Sequence, residues 1–106
     1  MKIKFHNTQR GFRKGTFTDR YGEECSIQKS SLATEDAIWL GIENANPQIM
    51  QSDAVRLGLA NISSPQGWMP YPVPSEVFLS TRMHLTKKEV KALLPILQKF
   101  VETGEI

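Results

Sequence analysis

Residues 86–104, TKKEVKALLPILQKFVETG, fold readily in only one way. Thr86 and Glu89 stand three apart, the spacing at which each side chain satisfies an unpaired backbone amide at a helix start. Val90, Leu93, Leu94, Leu97, Phe100 and Val101 recur at helical spacing. Gly104 offers the left-handed residue that ends such a helix. Pro95, inside it, removes one hydrogen bond and predicts a bend. Ile96 widens the apolar arc to roughly 160° at about 100° per residue. One sheet face needs less helix surface than that, so the arc predicts a second neighbour, most simply another copy of the chain.

Upstream of this helix the pattern changes to a period of two. KIKFH (2–6) alternates and predicts a short strand. GFRKGTFTD (11–19) predicts a second, weakened by Gly11 and Gly15. DRYGEE (19–24) reads as a turn opened by Asp19, with Gly22 at positive φ. ECSIQKS (24–30) returns as the antiparallel partner, with Cys25 and Ile27 on one face. AIWLGI (37–42) is continuously apolar, which predicts a central strand buried on both faces. In 46–58, Asn46 as cap, Pro47 at the first helical position and Gly58 as stop predict a short helix with Met50, Ala54 and Leu57 on one stripe. Four prolines in SSPQGWMPYPVP (63–74) predict an irregular loop that presents Trp68, Met69 and Tyr71. VFLSTRMHL (77–85) alternates again, with Val77, Leu79, Met83 and Leu85 toward the core and Phe78, Ser80, Arg82 and His84 on the opposite face. The expected architecture is α+β: one domain over residues 1–106, with an antiparallel sheet of about five strands, one short helix and a C-terminal helix packed on the sheet.

Composition limits the partners. Of the 106 residues, 40% are apolar and 23% charged, a balance that builds a small core and not a disordered chain. The formal charge of +2 is too small for a protein that tracks long nucleic acid, but suits a compact anion held by a few arginines. The lone cysteine, Cys25, excludes an intramolecular disulfide framework and fits a reducing compartment. MKIKFHNTQ lacks the apolar stretch of a secretion signal, and no run approaches the length of a membrane span. The expected setting is the cytoplasm.

Catalytic and metal chemistry find little support. Cys25 with His6 or His84 could make a thiol–imidazole pair, yet a single cysteine in an apolar strand reads first as core. One cysteine and two distant histidines do not make a zinc site. Glu23, Glu24, Glu35 and Asp36 come as adjacent pairs, the pattern of turns and wet surface. RGFRKG has no following helix to complete a phosphate loop. The two predicted helices are separated by about thirty residues, prolines and a strand, which excludes a helix-turn-helix. Lys87, Lys88, Lys91 and Lys99 share their helix face with glutamates and read as solvated. No catalytic set, metal or cofactor is expected.

A small phosphorylated ligand fits better. Its recognition takes arginine forks for phosphate and aromatic rings for a base. Arg20 lies at the predicted turn and Arg82 on the late strand. His84 and Phe78 share the Arg82 face in this reading, and Trp68 and Tyr71 sit in the proline segment.

Two blocks, FTDRYGEECSIQKSSLATEDAIWLGI (17–42) and TRMHLTKKEVKALLPILQKFVETGEI (81–106), resemble small phage and prophage proteins of the first Thoeris anti-defence family. The resemblance implies a homo-oligomeric sponge. Such proteins sequester cyclic ADP-ribose isomers made by bacterial TIR-domain immune proteins, and some hold cyclic oligonucleotides at a separate site, without degrading either. It implies Arg20 of DRYG and Arg82 of TRMHL as phosphate contacts. Segment 43–76 lies outside the resemblance, so Trp68, Tyr71 and Phe78 stand as candidates for base stacking on residue type alone. The setting implied is the host cytosol during infection. Two other readings remain open: a phage inhibitor that blocks a defence complex such as a CRISPR effector through the lysine face of the last helix, and a DNA-associated accessory protein.

Overall fold

The computed structural model describes residues 1–106. In chain order its elements are β1 (Lys4–Asn7), β2 (Arg13–Thr18), β3 (Glu24–Lys29), β4 (Ala37–Ile42), β5 (Gln48–Met50), α1 (Gln51–Arg56), β6 (Trp68–Pro70), β7 (Arg82–Thr86) and α2 (Lys87–Thr103). The class is α+β. Two compact units form, one from Met1–Asn44 with Thr81–Ile106 and the other from Ala45–Ser80.

The first unit is a five-stranded antiparallel sheet in the order β1-β2-β3-β4-β7. Each hairpin has a local cause. Asp19 Oδ1 accepts from the backbone amides of Tyr21 (2.8 Å) and Glu23 (3.0 Å), and Gly22 takes φ +84°, which fixes the β2–β3 turn. Because β7 adds beyond β4, the middle position belongs to β3. β4 is therefore not the central strand, and only Ala37 of its six residues is buried. A continuously apolar run fits a strand whose second face is merely half-covered, because its neighbours, not its own sequence, decide what lies over it.

Strand register sorts the side chains. Phe5, Phe17, Ile27, Ile38, Leu40, Ile42, Met83 and Leu85 share one face, while Lys14, Ser26, Gln28, Trp39, Arg82 and His84 share the other. Gly15 is buried on the apolar face because Ile3, Phe5 and Ile27 close over the space a side chain would take; a Cβ there would lie 2.7–3.2 Å from them. Yet the buried residues of the unit are small: Cys25, Ala37, Ser26, Ser30 and Gly15.

α2 follows its sequence closely. Thr86 caps it, Glu89 donates its amide to Thr86 Oγ1 (3.4 Å), and Thr86 N donates to Glu89 Oε2 (2.9 Å). Gly104 ends it at φ +76°. None of its 17 residues is buried.

In the second unit the expected helix over 46–58 is shorter. Residues 48–50 pair with 68–70 as a two-stranded ribbon, Pro47 accepts a hydrogen bond from the Tyr71 amide (2.9 Å), and Met50 stands at the helix N-cap in place of Asn46. A strand partner outcompetes a cap worth about 1 kcal/mol. The stop holds: Gly58 at φ +76° and Leu59 bond back to Val55 and Ala54. The proline segment likewise contains β6, since Pro70 ends its strand and needs no amide partner there. The alternation over 77–85 also overstates its strand, which starts at Arg82; Val77 N bonds to Pro74 O in a turn instead.

Asp36 joins β3 to the start of α2. Its carboxylate accepts from Lys29 Nζ (2.6 Å) and pairs with Lys87 Nζ (2.9 Å), and these two lysines hold it down at about 2. A carboxyl lowered in the folded state favours folding above its unfolded value near 3.9, and that contribution fades as pH falls through about 2. In an NMR titration the Asp36 midpoint should rise in Lys87→Ala, and also in ~1 M salt, since all three groups are solvated. A midpoint indifferent to Lys87 would remove the tether.

Candidate functional site

β4 and β7 bring the notable groups together. Trp39 pairs with His84 in the ladder, and their rings stack at 3.9 Å between centroids and 7° between planes. Two residues along, Gly41 pairs with Arg82. Without a side chain at Gly41, the Arg82 guanidinium crosses β4 and reaches β3. Its Nη1 donates to Gln28 Oε1 (2.8 Å) and Ser26 Oγ (3.5 Å), and the Arg82 guanidinium carbon lies 5.5 Å from the centre of the Trp39 ring. Ser26 is fully buried beneath it. His84 Nε2 and Ser30 Oγ, 2.9 Å apart, share a hydrogen bond.

Glu43 sets the charge balance. Its Oε2 accepts from Lys14 Nζ (3.1 Å); its Oε1, shielded from solvent, has no hydrogen-bond partner and lies 4.0 Å from Arg82 Nη1. Burial pushes this carboxyl up, but Ser26, Lys14 and the charge of Arg82 outweigh it and leave it below its usual range. Glu43 is thus an ionised group between two cations. Every Arg82 hydrogen bond and ion pair with protein uses Nη1, so Nε and Nη2 keep no protein partner and could serve a bidentate anion. Beyond Glu43, Lys2, Lys4 and Lys14 line a groove of about 540 Å³ with Thr16, Thr18 and a second carboxylate, Glu24. This arrangement can hold an anion against a cationic row with flat rings beside it.

Among the residues singled out from sequence, Arg82 and His84 meet here. Arg20 is exposed in the β2–β3 turn and makes no side-chain hydrogen bond. Trp68 on β6, Tyr71 and Phe78 belong to the second unit, with 66%, 41% and 87% of their surfaces accessible. Phe78 precedes β7, so it does not share a strand face with Arg82 and His84 as the alternation predicts. The sequence reading missed Trp39, Gln28 and Glu43. A signal existed for Trp39: Ala37, Trp39 and Gly41 alternate with Ile38, Leu40 and Ile42, so one side of an apolar run was never uniformly aliphatic.

Cys25 lies on the opposite face from His84. Its thiol is pushed up by burial first and then by the Asp19 and Glu23 charges, the reverse of what activates a nucleophile. No group of three or more His, Cys, Asp or Glu side chains is placed to hold a metal ion. No protein-family model matches the chain, and comparisons with curated proteins and with solved structures find no significant match.

Gly41 is the position on which this geometry turns. It has φ +151°, and a Cβ there would lie 2.7 Å from Thr81 O and 2.9 Å from Arg82 Cα. Gly41→Ala should therefore cost about 2 kcal/mol or more in urea unfolding and detach β7 locally, since the obstruction is backbone. Loss of the upfield ring-current shifts of His84 in NMR spectra would report that detachment. An unperturbed Gly41→Ala spectrum would show that β7 is not held this closely.

Proposed function

We propose that this chain is a phage-encoded anti-defence protein that binds and withholds a nucleotide immune second messenger, such as a cyclic ADP-ribose isomer, without cleaving it. The observation that carries the reading is the free Nε/Nη2 edge of Arg82, fixed beside the Trp39–His84 stack on a polar sheet face. Phosphate takes the fork, and the exposed His84 ring offers a surface for a base or ribose. The lysine groove next to Glu43 extends the cationic row for a second phosphate. A compact cyclic messenger carries both features, whereas long nucleic acid would need far more positive charge. No helix is long and apolar enough to cross a membrane; the proposed place of action is the cytosol of the infected bacterium, where such messengers are made.

A sponge has to outcompete the immune effector, which demands nanomolar binding or better, about 12 kcal/mol. The purified protein, incubated with the messenger and then heated, should release it unaltered. Conversion to a product would make the protein an enzyme, and no uptake would return the reading of an inhibitor that docks on a defence complex. Arg82→Ala should weaken capture by about 100-fold, and Arg82→Lys should recover little of it, because an ammonium keeps the charge beside Glu43 but not the fork. Full capture by Arg82→Lys with unchanged urea stability would deny the fork its role.

A further inference from the structure

We infer that the cleft between β4, β7 and the first turns of α2 binds a fatty carboxylate, a ligand of another class than the messenger and at another place. The cleft measures about 570 Å³, within the range of about 300–1,000 Å³ usual for small-molecule sites. Its walls come from two elements. The sheet register sets Lys29, Ile38 and Leu85 side by side across β3, β4 and β7. α2 starts directly after β7, and its Val90 and Leu94, four residues apart on one helix face, line the same cleft as Ile38 and Leu85.

The lining decides the tail of the ligand. Ile38, Leu85, Val90 and Leu94 carry no polar side-chain atom, and the first three are half-buried, so a chain lying among them sheds much of its hydration. Thr86 brings the one hydroxyl of the cleft, and the helix start already uses it: Thr86 Oγ1 accepts from the Glu89 amide (3.4 Å) and donates to Glu89 Oε2 (3.0 Å). No side chain of the apolar walls is left to pair with a sugar or a base. Hydrocarbon is the tail that enters without leaving polar groups unpaired.

The rim decides the head. Three lysines, Lys29, Lys87 and Lys91, stand there against one carboxylate, Asp36, which leaves a positive surplus. Asp36 pairs with Lys29 (2.6 Å) and Lys87 (2.9 Å), and Lys91 is in no ion pair. Lys91 follows Lys87 by one helical turn and precedes Leu94 by three residues, so its ammonium belongs to the rim beside the apolar wall. A tail among Ile38, Leu85, Val90 and Leu94 therefore brings an anionic head to Lys91. No arginine lines the cleft. Lysine ammoniums are compact charges on flexible stems, which suit one small carboxylate at a wet rim better than a phosphate that needs a fixed fork.

None of Trp39, Glu43, Arg82 and His84 lines this cleft, so the inference and the messenger reading can fail separately. The intact protein is titrated with sodium octanoate, sodium decanoate and 1-octanol and followed by methyl and amide NMR. Decanoate should shift the Ile38, Leu85, Val90 and Leu94 methyl signals and saturate one site below ~1 mM. Octanoate should bind about 15-fold more weakly, since each buried methylene is worth about fourfold. Lys91→Glu reverses an exposed charge that makes no ion pair, so the fold should hold; it should weaken both carboxylates about fivefold or more and leave octanol unchanged. No saturation by ~1 mM decanoate, shifts centred on Trp39 and Arg82 instead, or carboxylate affinities indifferent to Lys91→Glu would overturn the proposal. Octanol binding as tightly as octanoate would overturn it too, by reducing the cleft to a bare apolar patch.

Discussion

The antiparallel contact between β4 and β7 decides what this molecule can do. It joins the returning strand to the four-stranded meander, although 39 residues separate the two strands in the chain. It places His84 on Trp39, and through the gap at Gly41 it lets Arg82 reach Ser26 and Gln28 on the next strand. It also sets the origin of α2, which starts one residue past Thr86 with no intervening loop. A slip of one residue would turn Arg82 and His84 into the apolar face and Met83 and Leu85 out. The polar row, the guanidinium edge and the direction of the helix thus depend on one register.

The fold was legible wherever a signal was local. The capping box, the Asp19 turn and the Gly58 and Gly104 stops all appear where the residues place them, because each is a short-range hydrogen-bond problem with one good answer. What escaped was decided at long range. Residues 48–50 had a credible helix start in Asn46 and Pro47, but a partner strand some twenty residues later claimed them. The middle of the sheet went to β3 because β7 added on the far side of β4, an order that hydropathy does not encode. Arg82 and His84 were legible as a polar pair on a strand. Trp39 left a signal in its alternation, but Gln28 and Glu43 did not, since their proximity to Arg82 exists only once three strands are in register.

Arg82 ties two strands together and leaves one edge of its guanidinium without a protein partner. A guanidinium has five donors in a rigid plane, and here one nitrogen is enough to tie β7 to β3. The other edge is oriented by that same attachment, so a ligand does not pay the full entropy of ordering the side chain. The stacked Trp39 and His84 rings restrict it further. Glu43, with one oxygen unpaired, keeps the local field from being purely positive. Glu43 offsets one of the two cations beside it, Lys14 and Arg82.

The two faces of the sheet divide the remaining work. On one, hydrogen-bonded polar groups are held in fixed places, which suits recognition. On the other, most aliphatic and aromatic groups are half-buried, Phe5 and Met83 are exposed, and the fully buried residues are small. At about 25 cal/mol for each Å² of apolar surface removed from water, half-burial of these side chains leaves part of their possible contribution to stability unused.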